Sequence, residues 1–378
     1  MRRFDLGIAL NYCSNWGVVE AVREFYQNAL DAETVNPANK MYFEYLEDEG
    51  ILRIGNKDGE LPTKTLLLGV SSKRHDLNTI GQHGEGYKVA TVVLKRLGLG
   101  VKVYNRKEKE IWTARIVKSR RYQAEVVVYD VEKVSMFKSV PNQDLIFEIS
   151  GLTREMYDEV VESNLHLQTI AEEDVLKSGN SRILLDDAHA GRIFVNGLFV
   201  CKSKLATYGY DFEPSLVKLD RDRGLIDSFD LQYTCGKVIC GSACVDFIKD
   251  AKDTWDGEYI RFYDSQIGDA MQEVYEDEYK KFIEKNGEDA IPVDDTDEFN
   301  RLKRNGYNPV MVSRNQHHYI TSAPSYEASI GGSIEPVSPS DMADQLEEWL
   351  DEFMSDEDSE AYKKGHDMFE NILDYLRN

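Results

Sequence analysis

Apolar residues first recur at helical spacing in residues 14–33, where Val18, Val22, Phe25 and Ala29 form one stripe and Ser14 or Asn15 offers a cap. Residues 41–46 and 51–55 alternate between apolar and polar, which predicts a strand pair turning at Asp48-Glu49-Gly50. A turn-rich loop (56–63), a short helix (64–69) and a polar, mobile connection (71–80) follow. A glycine-rich loop at 81–86 then opens a second helix over 87–97. Strand patterns return at 100–105, 111–117, 123–130 and 144–149. The mixed pattern of 154–178 predicts a helix. A second strand-rich block covers 181–250, including Arg192-Ile193-Phe194-Val195 and Lys237-Val238-Ile239-Cys240. From about 255 the pattern is helical and acidic. Residues 305–340, rich in Asn, Ser, Gly and Pro, read as a linker or long loop. Residues 341–377 are amphipathic, with Leu346, Trp349, Leu350 and Phe353 followed by Met368, Phe369, Ile372, Leu373 and Leu376. The chain has no internal repeat. The mixture predicts an α+β protein, and 378 residues exceed the usual size of one core.

Charge divides the chain further. The net charge is −23. Residues 251–378 hold 31 acidic against 12 basic side chains, a net −19, whereas residues 1–250 are almost balanced at −4. Such a tail repels nucleic acid and anionic lipid and suits solubility or a basic partner. The densest basic cluster, Lys102, Arg106, Lys107, Lys109, Arg115, Lys118, Arg120 and Arg121, reads best as solvated strand edges and loops. A hydrophobic content of 42% with 30% charged residues is that of a globular chain. No apolar run is long enough to span a bilayer, and Asp5 interrupts the short stretch after Met1-Arg2-Arg3, against a secretory signal. A cytoplasmic location is expected. The five cysteines form no CxxC pair and read as reduced thiols, with Cys235, Cys240 and Cys244 in a stretch that looks like core.

Three segments within residues 20–90 carry candidate chemistry. In the first helix, Glu24, Asn28 and Asp31 stand at i, i+4 and i+7 and share a face. Solvated carboxylates are common there, but an Asn inside a helix is a poor helix former and needs a reason. Its amide oxygen suits Mg²⁺, and a carboxylate one turn earlier suits activation of a water. The second segment, Ile54-Gly55-Asn56-Lys57-Asp58-Gly59-Glu60-Leu61-Pro62, closes a strand. A carboxylate or amide at that end can accept from an exocyclic base amine, although, taken alone, a plain polar turn explains the segment better. The third, Gly81-Gln82-His83-Gly84-Glu85-Gly86-Tyr87-Lys88, opens a helix whose free N–H groups suit phosphate. It is neither a Walker A loop nor a dinucleotide GxGxxG. Lys88 reads as a phosphate contact or as an ordinary helix-surface lysine.

Taken in this order and spacing, the three segments resemble the GHKL ATPases, the superfamily of DNA gyrase, the ninety-kilodalton heat-shock chaperone, sensor histidine kinases and MutL. Glu24, Asn28, Asp31 and Ala32 match the family's ExxxNxxDA. Ile80 to Gly86 looks like the chaperone's third motif, and Leu68-Gly69-Val70-Ser71-Ser72-Lys73 like the segment leading into its ATP lid. The resemblance implies Glu24 as general base and Asn28 as Mg²⁺ ligand. It adds Asp31, Lys73, Gly81, Gln82, His83, Gly84, Glu85, Gly86, Tyr87 and Lys88 as nucleotide contacts. The second motif departs from DxGxG, because Asn56 stands for the adenine-binding Asp, Asp58 for the first Gly and Glu60 for the second. Either Asn56 or Asp58 then meets adenine. A fourth-motif Thr is not evident near Gln143-Asp144. Residues 192–200 look like the opening strand of the chaperone's middle domain, and Leu219-Asp220-Arg221-Asp222-Arg223 like its arginine-supplying segment, with Arg223 ahead of Arg221. A self-paired Asp/Arg surface cluster explains that segment equally well.

The resemblance therefore implies a Bergerat-type α/β sandwich binding ATP over 1–178, a smaller transducer-like α/β domain over 179–254, and an acidic helical region over 255–378. It implies an ATPase using ATP and Mg²⁺, with an ATP-gated homodimer by analogy. The alternative is a nucleotide-sensing interaction protein with little turnover, acting on an unknown protein partner through its acidic tail. A histidine kinase fits poorly, because every histidine lies at or after His75. A DNA-acting clamp conflicts with the −23 charge.

Overall fold

The computed structural model describes residues 1–66, 86–120, 122–138, 140–219 and 228–326. The chain divides into two compact units, with the boundary at Gln266 and Ile267. The first unit is α+β and contains two sheets. Among the described residues, no helix is long and apolar enough to cross a membrane.

The first sheet is built from β1 (Arg2–Ala9), β2 (Met41–Leu46), β3 (Ile51–Asn56), β4 (Gly100–Asn105), β5 (Glu110–Ser119), β6 (Ala124–Lys133) and β7 (Leu145–Ser150). Its order is β1-β6-β5-β4-β7-β3-β2, antiparallel throughout. Helix α1 (Val18–Val35) packs on β2 and β3, and α2 (Gly86–Arg96) on β1, β4, β5 and β6. The two helices also pack on each other, so they share one face of the sheet. Between the layers lies a continuous core that includes Val22, Phe25, Ala90, Val93, Leu52, Ile54, Val103, Trp112, Tyr129 and Ile149. Each such side chain contributes roughly 1.5–3 kcal/mol by leaving water. Arg53, between Glu148 at 3.0 Å and Glu44 at 3.6 Å, forms a cross-strand ion pair ladder over β2, β3 and β7.

Strand β1 is not predicted by the sequence reading. Its Leu6 and Ile8 are buried and alternate with exposed neighbours, while Arg3 is held at 2.6 Å by Asp130 across the pair with β6. The start of α1 also differs from expectation. Ser14 and Asn15 lie before the cap, and Gly17 is the N-cap, its N–H donating to Glu20 Oε2 at 2.7 Å. The stretch expected as one helix over 154–178 instead contains α3 (Arg154–Glu162), two short 3₁₀ turns and a strand, β8 (Val175–Ser178). Gln168 ends the helix by donating from Nε2 to the carbonyls of Val161 and Glu162, both at 2.9 Å.

The second sheet comprises β8, β9 (Ser181–Leu184), β10 (Arg192–Val195), β11 (Leu198–Lys202) and β12 (Gly209–Phe212), in the order β11-β10-β12-β9-β8 with β10 and β12 parallel. Helix α4 (Ser228–Gly241) packs on β8 and β9, and α5 (Val245–Ala251) follows it. Residues 237–240, expected as a strand, lie in α4. Leu231, Thr234, Cys235, Val238, Ile239 and Cys240 are among its buried positions, and the spacing of Leu231, Cys235, Val238 and Ile239 is helical despite the β-branched composition. None of the five cysteines is in a disulfide, and Cys235 and Cys240 are buried. The β10–β11 turn is Asn196-Gly197, both with positive φ, the pair that a two-residue hairpin prefers.

Beneath the second sheet, Asp256 is fully buried and accepts from the Thr207 N–H at 2.7 Å, beside the buried Tyr210 hydroxyl. Burial raises its carboxyl above the ordinary range. The folded state therefore holds this proton more tightly than the unfolded chain. Its stabilising contribution is complete below the unfolded carboxylate range and is lost as pH rises through the folded pKa. Asp256→Asn is expected to unfold at a higher urea concentration than wild type at pH 8, with the difference vanishing towards pH 4. A difference independent of pH would show that the proton is not involved.

The second unit contains α6 (Met271–Asn286), β13 (Ala290–Val293), α7 (Thr296–Arg304), β14 (Asn308–Met311) and α8 (Arg314–Thr321). Strands β13 and β14 are parallel, and α6 and α8 share a small core that includes Tyr279, Phe282 and Ile320. Residues 305–326, expected as linker, thus hold a strand and a helix. The polar residues that suggested a loop act as caps, Ser313 and Gln316 forming a capping box at α8. The remainder of the expected linker and the amphipathic stretch at 341–377 lie outside the described residues.

Candidate functional site

Helix α1 presents two faces. Val22, Phe25 and Ala29 enter the core. On the other side Glu24 and Asp31 are buried at 3% and 2% exposure, with Asn28 half-buried between them. Asn28 Nδ2 donates to the Glu24 carbonyl at 2.7 Å. That bond takes up Nδ2 and leaves Oδ1, a hard oxygen of the kind Mg²⁺ prefers, as the side chain's acceptor.

Glu24 meets the start of α2. A Cβ added to Gly86 would lie 2.1 Å from Glu24 Oε2, so only glycine lets the helix terminus and the carboxylate approach this closely. The following residue, Tyr87, is anchored by its hydroxyl to Thr65 Oγ1 at 3.1 Å, and burial pushes its phenol up. Lys88 is fully buried, its Nζ 5.8 Å from the Tyr87 ring centroid. It is therefore not the helix-surface lysine that one reading of the sequence allowed.

The end of β3 is fixed to the same helix. Asn56 is buried and donates from Nδ2 to Ala29 O at 2.9 Å and to Asn39 O at 3.2 Å. Asp58 behaves differently. Its carboxylate is 57% exposed and pairs with Lys107 in the β4–β5 turn, while its N–H donates to Asn39 Oδ1 at 2.7 Å. Of the two candidates at this bend, Asn56 is the one held against α1. Nearby, Asp144 N–H donates to Lys57 O at 3.3 Å, and the Gln143 carbonyl accepts from Arg106 Nε at 2.8 Å. Arg106 and Lys107, from the basic cluster, are thus occupied in local structure.

Glu24, Asn28, Asp31, Asn56 and Gly86 are accordingly brought together around α1, with Tyr87 and Lys88 following Gly86 at the start of α2. Lys73, Gly81, Gln82, His83, Gly84, Glu85, Arg221 and Arg223 lie outside the described residues.

Two neighbours escaped the sequence reading. Arg23 places Nε 4.0 Å from Glu24 Oε1 and donates from Nη1 to Phe199 O, in β11, at 3.1 Å. Beside it Tyr26 stacks on His166 at 5.9 Å, and His166 Nε2 lies 2.8 Å from Asn196 O. The β10–β11 hairpin of the second sheet is therefore seated on the helix that carries Glu24. The other neighbour is Gln27, which is fully buried. Its position three residues after Glu24 was the available signal, since i and i+3 fall on one helix face. Arg23 gave no such signal, because its partner is a backbone carbonyl remote in sequence.

No protein-family model matches this chain, and no curated protein matches it. Among the described residues there is no group of three or more His, Cys, Asp or Glu arranged to hold a metal. A Mg²⁺ carried largely by phosphate oxygens and water needs only one or two protein oxygens. The half-buried Asn28 Oδ1 is of that kind.

Proposed function

We propose that this chain is a Mg²⁺-dependent ATPase of the GHKL type, with a Bergerat-like sandwich whose nucleotide lies between α1 and the start of α2. The observation that carries the reading is the contact between Glu24 and Gly86. It joins the first and third sequence segments, about sixty residues apart, at a carboxylate and a helix N-terminus. The layering of α1 and α2 on one face of an antiparallel sheet supports the same reading.

In this mechanism Glu24 accepts a proton from water as the water oxygen bonds the terminal phosphorus. The bridging P–O bond breaks, and ADP leaves with its electron pair. Burial of Glu24 fixes the carboxylate and limits the water it meets. Asn28 Oδ1 holds Mg²⁺, which when bound neutralises charge on the phosphates. Asn56 Oδ1 is the acceptor for the adenine amine, since Nδ2 is committed to Ala29 and Asn39. The hairpin seated on α1 through Arg23 and His166 makes the second sheet the element that responds to the nucleotide. A homodimer gated by ATP follows by family analogy.

Calorimetric titration of the full chain with ATP, ADP and GTP tests the reading. ATP is expected to bind more tightly with Mg²⁺ than without it, and Asn28→Ala should abolish that difference. No heat with any of the three nucleotides would reject the site. A second reading, a nucleotide sensor with little turnover, is favoured by one observation. Asn56 stands where the family has a carboxylate, and half its hydrogen-bonding capacity is spent within the protein. Binding without measurable hydrolysis would select it.

A further inference from the structure

Strand β5 is paired along its whole length on one side only. Its ladder with β6 runs from Glu110 opposite Lys133 to Ser119 opposite Ala124, without a register shift. Its pairing with β4 covers Glu110–Thr113 and no more. From Ala114 to Ser119 the other edge of β5 has no strand partner among the described residues. Every second residue of that run directs its N–H and C=O towards the free edge.

Proteins commonly blunt such an edge by shortness, a bulge or a proline. This run has none of the three, and its centre is the β-branched pair Ile116-Val117, with Ile116 37% exposed. What it has is charge of one sign. Arg115, Lys118 and Arg120 are exposed along it, whereas Arg106 and Lys107 of the same basic cluster are used in local structure. Its acidic neighbours are Asp130, whose Oδ2 lies 3.3 Å from Arg115 Nε but which Arg3 already holds at 2.6 Å, and Glu125, opposite Lys118 on β6. A basic edge repels a second copy of itself, which prevents self-pairing, and attracts a strand of opposite charge. Nucleic acid fits less well. The whole chain carries −23, and a phosphate backbone has no peptide groups to pair with the edge.

We propose that Ala114–Ser119 of β5 receives an extended acidic peptide of a partner protein, which adds to the first sheet as a further strand. The peptide's backbone pairs with the free N–H and C=O groups, and its carboxylates meet Arg115, Lys118 and Arg120. Ile116 offers the apolar contact between them. This surface stands independently of the nucleotide site.

The test uses the full chain and a fluorescein-labelled peptide of alternating Glu and Val, with binding followed by anisotropy and amide hydrogen exchange measured on the complex. Wild type should bind this peptide, and exchange should slow at amides within Ala114–Ser119. Lys118→Glu combined with Arg120→Glu changes two exposed side chains and should weaken binding at least roughly tenfold. A peptide of the same charge with Pro in place of Val lacks half its N–H donors and should also bind at least roughly tenfold more weakly. No binding by wild type, equal affinity for the two peptides, unchanged affinity in the double variant, or binding without slowed exchange at those amides each overturns the proposal. Tighter binding of polyuridylate than of the Glu-Val peptide also overturns it and makes this edge a nucleic-acid surface.

Discussion

Glu24→Gln is expected to bind ATP about as tightly as wild type and to hydrolyse it on the order of 10²–10⁴-fold more slowly. The substitution keeps the shape of a side chain that is only 3% exposed, so the helix and its packing stay in place. What it removes is the proton acceptor. Gly86→Ala gives an independent view of the same group. Its new Cβ would lie 2.1 Å from Glu24 Oε2, and the end of a flexible side chain gives way more readily than the two backbones. Gly86→Ala should therefore lower turnover by displacing the carboxylate, with a much smaller effect on stability. Combined with Glu24→Gln it should add little, since both changes remove one function. Phosphate release at saturating ATP measures all three variants. Equal rates for wild type and Glu24→Gln would exclude Glu24 from the chemistry, and full additivity would separate Gly86 from Glu24.

The sequence made α1, α2 and most of the first sheet legible for one reason. Each of these elements has one face against a shared core, so apolar residues recur with the period of the element. Residues 41–46 and 100–105 match the observed strands β2 and β4, and residues 51–55 fall one residue short of β3. Elsewhere the period was hidden. In α4 the stretch Val238-Ile239-Cys240 carries strand-forming residues, but tertiary packing on β8 and β9 overrides their propensity. In β1, charged Arg3 and Asp5 occupy the exposed side of an edge strand, which reads as an interrupted apolar run. At the candidate site, Glu24, Asn28 and Asp31 were visible because they stand on one helix face. The two roles of the β3 bend were not visible. Whether Asn56 or Asp58 faces α1 depends on Asn39, whose side-chain oxygen takes the Asp58 N–H and whose carbonyl takes the Asn56 amide. Contacts of that kind cross elements and leave no periodic trace.

The second large effect concerns Arg96, at the end of α2. Its guanidinium donates to four backbone carbonyls of the segment between β1 and α1. Nη1 reaches Leu10 O at 3.3 Å and Tyr12 O at 2.9 Å, and Nη2 reaches Cys13 O at 3.0 Å and Trp16 O at 2.8 Å. Cys13, with φ of 48°, sits in the left-handed region within this segment, so the loop is held in a conformation that few residues adopt unaided. The segment leads directly into Gly17 and the first turn of α1, and so sets where Glu24 begins. Removing the guanidinium leaves four carbonyls to find other donors. Arg96→Ala should cost roughly 3 kcal/mol of stability, seen as a lower urea midpoint with the slope unchanged. Arg96→Lys should recover only part of this, because an ammonium cannot address four acceptors from a planar fork. If the loop contributes to the site as argued, nucleotide binding will weaken in Arg96→Ala even at temperatures where the protein is folded. Full affinity in the folded variant would show that α1 is positioned by the core alone, and an unchanged urea midpoint would show that the four bonds are not worth their desolvation.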